Sequence, residues 1–316
     1  MRPEVLSVNI SDEKGTIKTP VAEITIDQHG IIGDAHAGPW TRQVTLLAQE
    51  NIQQFSAQAG RQIKYGEFAE NITTKGIDLD KVSLLDRIKI GAVELEVTQI
   101  GKTCHGTNCA IFREVGKCLM PEKGIFCRVI WGGKIKPGDK IEYIPRNLRF
   151  LIITLSDRAS SGEYEDLSGP KIKQIVENFF AAKRWHINIE NVLLPDETRQ
   201  LRDELQKAKD EAIDVIITTG GTGVGPRDFT PDVVMSLNPR IIPGIMEYIR
   251  VKCAEKNPNA LLSRGIAGIL EQTLIYTLPG SVKAVGEYMQ EILKTMEHLI
   301  LTLHGLDLHA MASMRA

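Results

Sequence analysis

The sequence predicts two domains of different class, the first mainly β and the second a three-layer α/β domain with a mostly parallel sheet. The chain has 316 residues, roughly twice the length of a usual domain. Before residue 147 the apolar segments are short, alternating and rich in β-branched residues, as in a β barrel or sandwich. After it, strand-like and helix-like segments alternate, which indicates a parallel sheet with helices on both faces. We therefore expect domains over residues 1–147 and 148–316.

The composition argues against several classes of protein. Lysine and arginine together number 38, against 40 aspartates and glutamates, so the formal net charge is −2. A nucleic-acid-binding protein usually presents a basic face, and this balance does not suggest one. No apolar run approaches the roughly 18 residues of a membrane-spanning helix, and the first residues lack the regions of a signal peptide. We expect a soluble, cytoplasmic protein that binds neither nucleic acid nor a membrane.

The apolar pattern places the main elements along the chain. In the first domain we expect strands over 21–27, 42–48 and 87–101, a helix over about 50–58, and two short strands within 131–144. In the second we expect strands over 149–156, 187–194, 214–221 and 273–279, and helices over about 168–182, 197–211, 243–256 and 282–303. The first strand of the second domain contains an apolar run of the kind that a strand buried on both faces requires.

A glycine-rich turn follows one of these buried strands. Residues 218–223 read Thr-Thr-Gly-Gly-Thr-Gly, and Arg227, Asp228 and Pro231 come shortly after. Glycines let backbone N–H groups approach an anion closely, and a helix that begins near Pro231 favours negative charge at its N-terminus. The spacing matches neither a Walker loop nor the GxGxxG pattern. The alternatives are a tight turn without a ligand and, for Asp228, either a helix N-cap or a Mg²⁺ ligand.

Three other strand ends carry polar side chains. The segment 155–170 contains several carboxylates and hydroxyls, Asp196 lies within 193–198, and Lys283 follows the loop 277–281. Open α/β sheets bind ligands at the carboxyl ends of their strands. Four such loops together predict one phosphate and metal site.

The second half of the chain resembles the molybdopterin adenylyltransferase family over residues 148–303. The resemblance is carried, in order, by SDRASSGEYED, LLPDE, TTGGTGVGPRDFTPD, PGIME, LLSRG and LPGSVKAV. It implies a Rossmann-like fold that activates molybdopterin with Mg-ATP and releases pyrophosphate. Molybdenum-insertion proteins and competence-damage-type proteins share the fold, but the Arg-Asp-x-Thr-Pro form of this loop favours the adenylyltransferase.

The resemblance also implies roles for particular residues. Asp196 and Asp228 match the family's two functional aspartates, which organise Mg²⁺ and the nucleotide phosphates. The nucleotide-binding loop corresponds to Gly220, Gly221, Thr222 and Gly223. Positions that line the substrate cleft correspond to Asp157, Arg158, Ser263, Arg264, Ser281 and Lys283.

The first half resembles the MOSC domain, a β-rich module of molybdenum cofactor sulfurases, over roughly residues 2–145. The motifs that carry this resemblance are Lys-Thr-Pro at 18–20, GDAHAG at 33–38, RQVT at 42–45, Glu-Asn at 70–71, GKTCH at 101–105 and GIFCRVIWGGKIKPGD at 124–139. The resemblance implies a domain that binds the cofactor or carries sulfur on a cysteine, and Cys104 matches that position best. Lys18 with Arg42 suggests a site for a pterin phosphate, and His36 beside Asp34 suggests a contribution to anion binding. The alternatives are solvated charges at Lys18 and Arg42 and a histidine in a surface turn at His36.

Four of the five cysteines, Cys104, Cys109, Cys118 and Cys127, fall in one short segment, whereas Cys253 lies elsewhere. A thiolate at Cys104, favoured by the neighbouring Lys102 and His105, is the preferred interpretation. Zinc is less favoured because the paired CxxC spacing of structural sites is missing. A redox disulfide is a further alternative, and Cys127 on an apolar strand is expected to be a small buried hydrophobe.

We therefore expect an enzyme of molybdenum cofactor biosynthesis whose substrates are ATP and molybdopterin and whose cofactor is Mg²⁺. A non-enzymatic protein that binds molybdopterin and delivers sulfur is the first alternative. A nucleotide-pyrophosphate hydrolase of the competence-damage type is the second. The resemblance also implies a homotrimer, with a molybdenum-insertion protein or a cysteine desulfurase as a partner.

Overall fold

A computed structural model of the chain describes residues 2–103, 112 and 118–306. The chain divides into two compact units, one that ends at Arg146 and one that begins at Asn147. Within the described ranges, no helix is long and apolar enough to cross a membrane.

The first unit consists mainly of strands. They are β1 (Glu4–Ile10), β2 (Thr19–Val21), β3 (Ile24–Asp27), β4 (Gly30–Ile31), β5 (Val44–Ala48), β6 (Ile72–Lys75), β7 (Arg87–Ile90), β8 (Val93–Ile100), β9 (Ile125–Trp131), β10 (Gly133–Ile135) and β11 (Ile141–Ile144). Helices α1 (Gln49–Ala59) and α2 (Met120–Lys123) accompany them. Eight strands form one sheet in the order β11-β7-β8-β9-β5-β6-β1-β2, and three form another in the order β10-β3-β4.

Two of the expected strands of this unit are each divided in two. The segment 21–27 contains the end of β2 and all of β3, which belong to different sheets. The segment 87–101 is a hairpin, in which Gly91 has a φ of 59° and starts the two-residue turn between β7 and β8. Such a turn needs a left-handed conformation that glycine adopts without strain. The helix expected over about 50–58 is confirmed as α1.

Backbone pairing joins the beginning of β1 to the segment that leads into β11. Val5 N donates to Asp139 O at 2.9 Å, and Ile141 N donates to Pro3 O at 3.0 Å. An isolated antiparallel bridge joins Glu4 and Lys140. These contacts join β1, which lies next to one edge of the eight-stranded sheet, to β11 at the opposite edge. The unit is mainly β, and its closure into a barrel stays a prediction.

The second unit is an α/β domain. Its strands are β12 (Asn147–Leu155), β13 (His186–Leu194), β14 (Val215–Thr219), β15 (Arg240–Ile241), β16 (Ala267–Leu270) and β17 (Thr273–Leu278). Its helices are α3 (Asp157–Ser160), α4 (Ser168–Ala181), α5 (Thr198–Asp210), α6 (Thr230–Met235), α7 (Pro243–Ala254) and α8 (Val282–Leu303). The strands form one sheet in the order β13-β12-β14-β17-β16-β15.

The first four strands in this order are parallel, as the alternating pattern predicted. Strand β16 is antiparallel to β17, and β15 is antiparallel to β16, which the sequence pattern did not predict. The reason is local, since residues 271–272 alone connect β16 to β17 and Glu271 adopts a φ of 55°. A connection of two residues can join antiparallel neighbours, whereas parallel strands need a long crossover.

Helices cover both faces of this sheet. The ring of Phe150 on β12 lies 5.6 Å from that of Phe180 on α4. The next residue, Leu151, packs in a core cluster with Leu201 of α5 and Val234 of α6. Because successive strand residues point to opposite faces, α4 and the α5–α6 pair lie on opposite sides of the sheet. The carboxyl ends of β13, β12, β14 and β17 therefore meet at one open edge.

Candidate functional site

The loops after β12, β13, β14 and β17 surround a cavity of about 810 Å³. Its volume lies within the roughly 300–1,000 Å³ of sites that bind small molecules. Most residues predicted for the site line it, namely Asp157, Arg158, Asp196, Gly220, Gly221, Thr222, Gly223, Asp228, Ser263 and Ser281. Sequence-distant loops thus meet at the predicted edge of the sheet.

The turn after β14 depends on its two adjacent glycines. Gly220 and Gly221 have φ values of 107° and 62°, which side chains with a Cβ rarely adopt. A Cβ would lie 2.4 Å from Leu155 O at Gly220, and 2.6 Å from Thr230 Oγ1 at Gly221. Thr230 Oγ1 also donates to Gly220 O at 2.9 Å. The glycines therefore allow the turn to pack closely against β12 and α6.

Asp228 is held inside the same loop. Gly225 N donates to Asp228 Oδ2 at 2.8 Å, and a Cβ on Gly223 would lie 2.7 Å from that oxygen. The N-cap of α6 is Phe229, which makes no side-chain capping bond. Asp228 is therefore not the helix cap that was considered as an alternative, and its carboxylate borders the cavity.

Asp157 and Asp196 are joined by two reciprocal hydrogen bonds, each from the backbone N–H of one residue to the carboxylate of the other. Asp196 N donates to Asp157 Oδ1 at 2.8 Å, and Asp157 N donates to Asp196 Oδ2 at 3.3 Å. This reciprocal pair joins the loop after β12 to the loop after β13. Two carboxylates consequently stay in fixed positions at the edge of the cavity.

Arg227 reaches these carboxylates from the glycine-rich loop. Its Nη2 contacts Asp157 Oδ2 and lies 3.5 Å from Asp196 Oδ2. The Arg227 side chain is nevertheless 66% exposed. Arg227 belongs to the sequence motif but was not among the predicted site residues.

The cavity carries an excess of negative charge. Among the described residues that line it, five carboxylates (Asp157, Asp166, Asp196, Asp228 and Glu287) accompany two guanidinium groups, those of Arg158 and Arg227. Burial and the nearby Asp228 carboxylate raise the pKa of Asp196 above its usual value. Repulsion between Asp196 and Asp228 is therefore incompletely compensated, which favours the binding of a cation between them.

Asp166 has a structural role beside the cavity. Its Oδ1 accepts from Ser168 N at 2.9 Å and from Gly169 N at 3.1 Å, and its Oδ2 accepts from Thr154 Oγ1 at 2.7 Å. Ser168 Oγ in turn donates to Gly280 O at 2.7 Å. Asp166 therefore satisfies the N-terminus of α4 and stabilises the loop that precedes Ser281.

Arg264 and Lys283 do not appear among the residues that line the cavity. Arg264 instead braces the glycine-rich loop, because its N donates to Thr222 O and its Nε donates to Gly223 O, both at 2.8 Å. Its Nη1 pairs with Asp232 at 2.9 Å. Lys283 is exposed in the first turn of α8. The expectation that these two side chains line the cleft is therefore not supported by their positions.

Comparisons with known proteins place the chain in a family. Residues 151–298 match the family described as a probable molybdopterin binding domain, and residues 33–142 match the MOSC domain. A molybdopterin adenylyltransferase of Helicobacter pylori is 34% identical over 151 residues, which cover 47% of this chain and 84% of that protein. The chain belongs to the molybdopterin adenylyltransferase family.

A longer relative and a solved structure are also similar to this chain. The Drosophila melanogaster molybdenum cofactor synthesis protein cinnamon is 38% identical over 155 residues, or 49% of this chain, and the chain spans 25% of that protein. The crystal structure of the molybdopterin biosynthesis enzyme MoaB from Thermus thermophilus has 35% identity and a TM-score of 0.45, and it covers 50% of this chain and 97% of its own.

The sequence analysis missed part of the cavity of the adenylyltransferase-family domain. Cys253 at the end of α7 and Glu287 and Tyr288 on α8 also line it. Tyr288 lies seven residues after Ser281, on the same helical face, and this spacing is the signal that was available. Burial and the carboxylates of Glu287 and Glu291 raise the pKa of Cys253. The raised pKa disfavours the thiolate form of Cys253, which is the nucleophilic form.

The MOSC domain contains a buried ion pair where an anion site was expected. Lys18 is 1% exposed, and its ammonium group contacts the carboxylate of the buried Asp34. Asn71 Nδ2 donates to Asp34 Oδ2 at 3.1 Å, and His36 N donates to Asp34 Oδ1 at 2.9 Å. A buried charge requires a partner, and the partner of the Lys18 ammonium group is the Asp34 carboxylate. The Lys18 ammonium group is therefore not presented to a phosphate, whereas the part of Arg42 in such a site stays a prediction.

The cysteine cluster is divided between described and undescribed residues. Cys104, the predicted sulfur carrier, and Cys109 lie outside the described residues, so the thiolate, zinc and disulfide interpretations stay predictions. Cys127 on β9 is fully buried, and burial raises its pKa. The expectation that Cys127 is a small buried hydrophobe is confirmed. Cys118 is partly buried and packs beside the cluster that contains Met120 and Phe126.

Proposed function

We propose that the second unit catalyses the adenylylation of molybdopterin by Mg-ATP, with release of pyrophosphate. One observation carries the proposal, namely the convergence of the glycine-rich loop with Asp196 and Asp228 on one cavity at the carboxyl edge of the sheet. Family membership supports it, because the Helicobacter pylori relative is named a molybdopterin adenylyltransferase.

The residues present suit a transfer in which the protein supplies no nucleophile. The terminal phosphate oxygen of molybdopterin would attack the α-phosphorus of ATP, and the bond to pyrophosphate would break. Such reactions depend on positioning and on neutralisation of charge. The backbone N–H groups of Gly221 and Gly223 and the hydroxyl of Thr222 would donate to phosphate oxygens, whereas the Gly220 N–H donates to Leu278 O at 3.0 Å. Arg158 and Arg227 add positive charge to the same cavity.

The carboxylates fit the magnesium ion that the family implies. Within the described part of the chain, no group of three or more acidic, histidine or cysteine side chains forms a metal site. Magnesium needs fewer protein ligands, since it is usually held by one or two carboxylates together with substrate phosphates and water. Asp196 and Asp228 would hold it, and a cation would relieve the repulsion by Asp228 that, after burial, raises the pKa of Asp196. The ion would supply neutralisation of the phosphate charge.

The assay for this function measures pyrophosphate. The full chain is incubated with molybdopterin, ATP and Mg²⁺, and released pyrophosphate and adenylylated molybdopterin are quantified. We expect equal amounts of the two products, and no pyrophosphate when molybdopterin is omitted. Binding of molybdopterin without pyrophosphate release would favour the non-enzymatic carrier. Cleavage of a free dinucleotide would favour the pyrophosphate hydrolase.

We also propose that the MOSC domain carries sulfur on Cys104 for the same cofactor, with a cysteine desulfurase as donor. The MOSC match spans this residue. The desulfurase persulfide would pass its outer sulfur to the Cys104 thiolate, which becomes a persulfide while the desulfurase thiolate is released. Mass spectrometry after incubation with a desulfurase and cysteine tests the step. Absence of a persulfide on Cys104, Cys109 and Cys118 would contradict it.

The assembly and cellular setting belong to the proposal as well. We infer a cytoplasmic homotrimer that passes its product to a molybdenum-insertion protein, because the resemblance to the family implies these properties. Light scattering of the purified chain tests the trimer, and a mass of one or two chains would contradict it.

A further inference from the structure

We propose that Arg227 alternates between two anionic partners. Without a divalent cation its guanidinium group pairs with Asp157 and Asp196, and when the cation binds, the group turns to a phosphate oxygen of the nucleotide. The second position rests on the proposed function, in that it requires a nucleotide in the cavity.

The first position is visible in the structure. Arg227 Nη2 contacts Asp157 Oδ2 and lies 3.5 Å from Asp196 Oδ2. Asp196 is one of the two carboxylates that fit the cation. The guanidinium group of Arg227 therefore already supplies part of the positive charge that a divalent cation would bring to these carboxylates. Two cations cannot share these oxygens without mutual repulsion, so they compete.

The carboxylates do not need Arg227 to keep their places. The backbone N–H groups of Asp157 and Asp196 each donate to the other residue's carboxylate, at 3.3 and 2.8 Å. Removal of the guanidinium group should therefore leave the oxygens positioned and more negative. This arrangement distinguishes a competitor from a residue that builds the metal site.

Arg227 is also placed to move. Its side chain is 66% exposed, whereas its neighbour Asp228 is fixed by Gly225 N and braced by Arg264. The fixed residue, Asp228, is thus adjacent to Arg227 within the loop that would bind phosphates. A short rotation about the side-chain bonds then carries the guanidinium group from one anion to another without displacing the loop. Arginine suits both partners, because its planar fork bonds carboxylates and phosphates alike.

The test measures Mn²⁺ binding by electron paramagnetic resonance, with no nucleotide present. Arg227→Ala should bind Mn²⁺ about two- to fivefold more tightly than wild type, the factor expected when one exposed ion pair is lost. Arg227→Lys should stay close to wild type because it keeps the charge. Arg199→Ala is the matched control, since Arg199 is 93% exposed on α5 and lies outside the cavity. Unchanged or weaker Mn²⁺ binding by Arg227→Ala would overturn the proposal.

A second measurement tests the phosphate position. Calorimetry with Mg²⁺ and a non-hydrolysable ATP analogue should show about tenfold weaker nucleotide binding by Arg227→Ala, as for loss of a charge-assisted bond. Equal nucleotide affinity in wild type and Arg227→Ala, or no nucleotide binding by wild type, would overturn the alternation. Neither measurement uses molybdopterin. A chain that shows both effects but transfers no AMP would contradict the proposed function and leave the role of Arg227 intact.

Discussion

Arg264 holds Gly223 in place, with its Nε donating to Gly223 O at 2.8 Å. The same side chain bonds Asp228 O and pairs with Asp232. Arg264→Ala should therefore loosen the loop that carries both the phosphate donors and Asp228. We expect a raised KM for ATP and a free energy of unfolding lowered by about 1–2 kcal/mol. Steady-state kinetics and urea unfolding measure the two effects, and an unchanged KM would show that the loop is held by other contacts.

Asp228→Ala should abolish AMP transfer while the fold is retained. The variant removes one of the two carboxylates that fit the cation, but no helix cap, because Phe229 is the N-cap of α6. We expect pyrophosphate release to fall at least about a hundredfold. Asp203→Ala is the control, since Asp203 is 70% exposed on α5 and lies outside the cavity. Transfer at the wild-type rate by Asp228→Ala would contradict the assigned role.

Gly221→Ala should destabilise the second unit. The residue has a φ of 62°, and the added Cβ would lie 2.6 Å from Thr230 Oγ1. Strain and the clash together are expected to cost about 1–3 kcal/mol of unfolding free energy. Gly244→Ala on α7 is the matched control, because no atom lies within 4 Å of its added Cβ. Equal melting temperatures for the two variants would argue against the strain at Gly221.

Acidification should weaken cation binding, and the loss of affinity should begin at a higher pH than for a site made of aspartates with ordinary pKa values. Burial and the Asp228 charge raise the pKa of Asp196, so a proton competes with the cation before the usual aspartate range is reached. The same pKa shift acts on the free energy of unfolding in the opposite direction to its effect on cation affinity. A raised folded-state pKa contributes stability at low pH, and this contribution is lost as the pH rises through that pKa. The Mn²⁺ affinity measured between about pH 4 and 7 reports the midpoint.

Asp228→Asn separates the two causes of that shift. The substitution removes the like charge but retains the side-chain shape, so the midpoint of Mn²⁺ binding should move to lower pH while the affinity falls. A midpoint that stays in place would mean that burial alone raises the pKa of Asp196.

Lys18→Met should destabilise the first unit strongly. It leaves the Asp34 carboxylate buried without its cation, which typically costs about 3–5 kcal/mol. The double variant Lys18→Met with Asp34→Asn removes both charges and should recover much of that loss. Chemical unfolding of the two variants measures the coupling, and equal stabilities would show that Asp34 does not depend on Lys18.

The elements of the second unit followed closely from the sequence. Helix α8 was predicted over the residues that it occupies, 282–303, and the ends of α4, α5 and α7 differ from prediction by one or two residues. Long amphipathic or wholly apolar segments carry their periodicity in every turn, so they are recognised locally. Strands β15 and β16 were missed because they are short, and because the direction of β16 depends on its two-residue connection to β17.

Part of the candidate site could also be predicted from the sequence. Gly220, Gly221, Asp196 and Asp228 belong to motifs with recognisable spacing, and they all line one cavity. Arg264 and Lys283 also belong to motifs, but Arg264 packs against the loop and Lys283 is exposed outside the cavity. A motif identifies a residue, whereas its direction depends on the contacts that surround it.

The sequence by itself determined the two-domain composition, the positions of the buried strands and the glycine turn, because hydrophobic periodicity and φ requirements are local properties of the chain. The tertiary structure decided which charges meet. It paired Lys18 with Asp34 inside the first unit and Arg227 with Asp157 and Asp196 at the cavity. Electrostatic partners are set by distances between residues far apart in sequence, and those distances exist only after the sheet has brought its strand ends together.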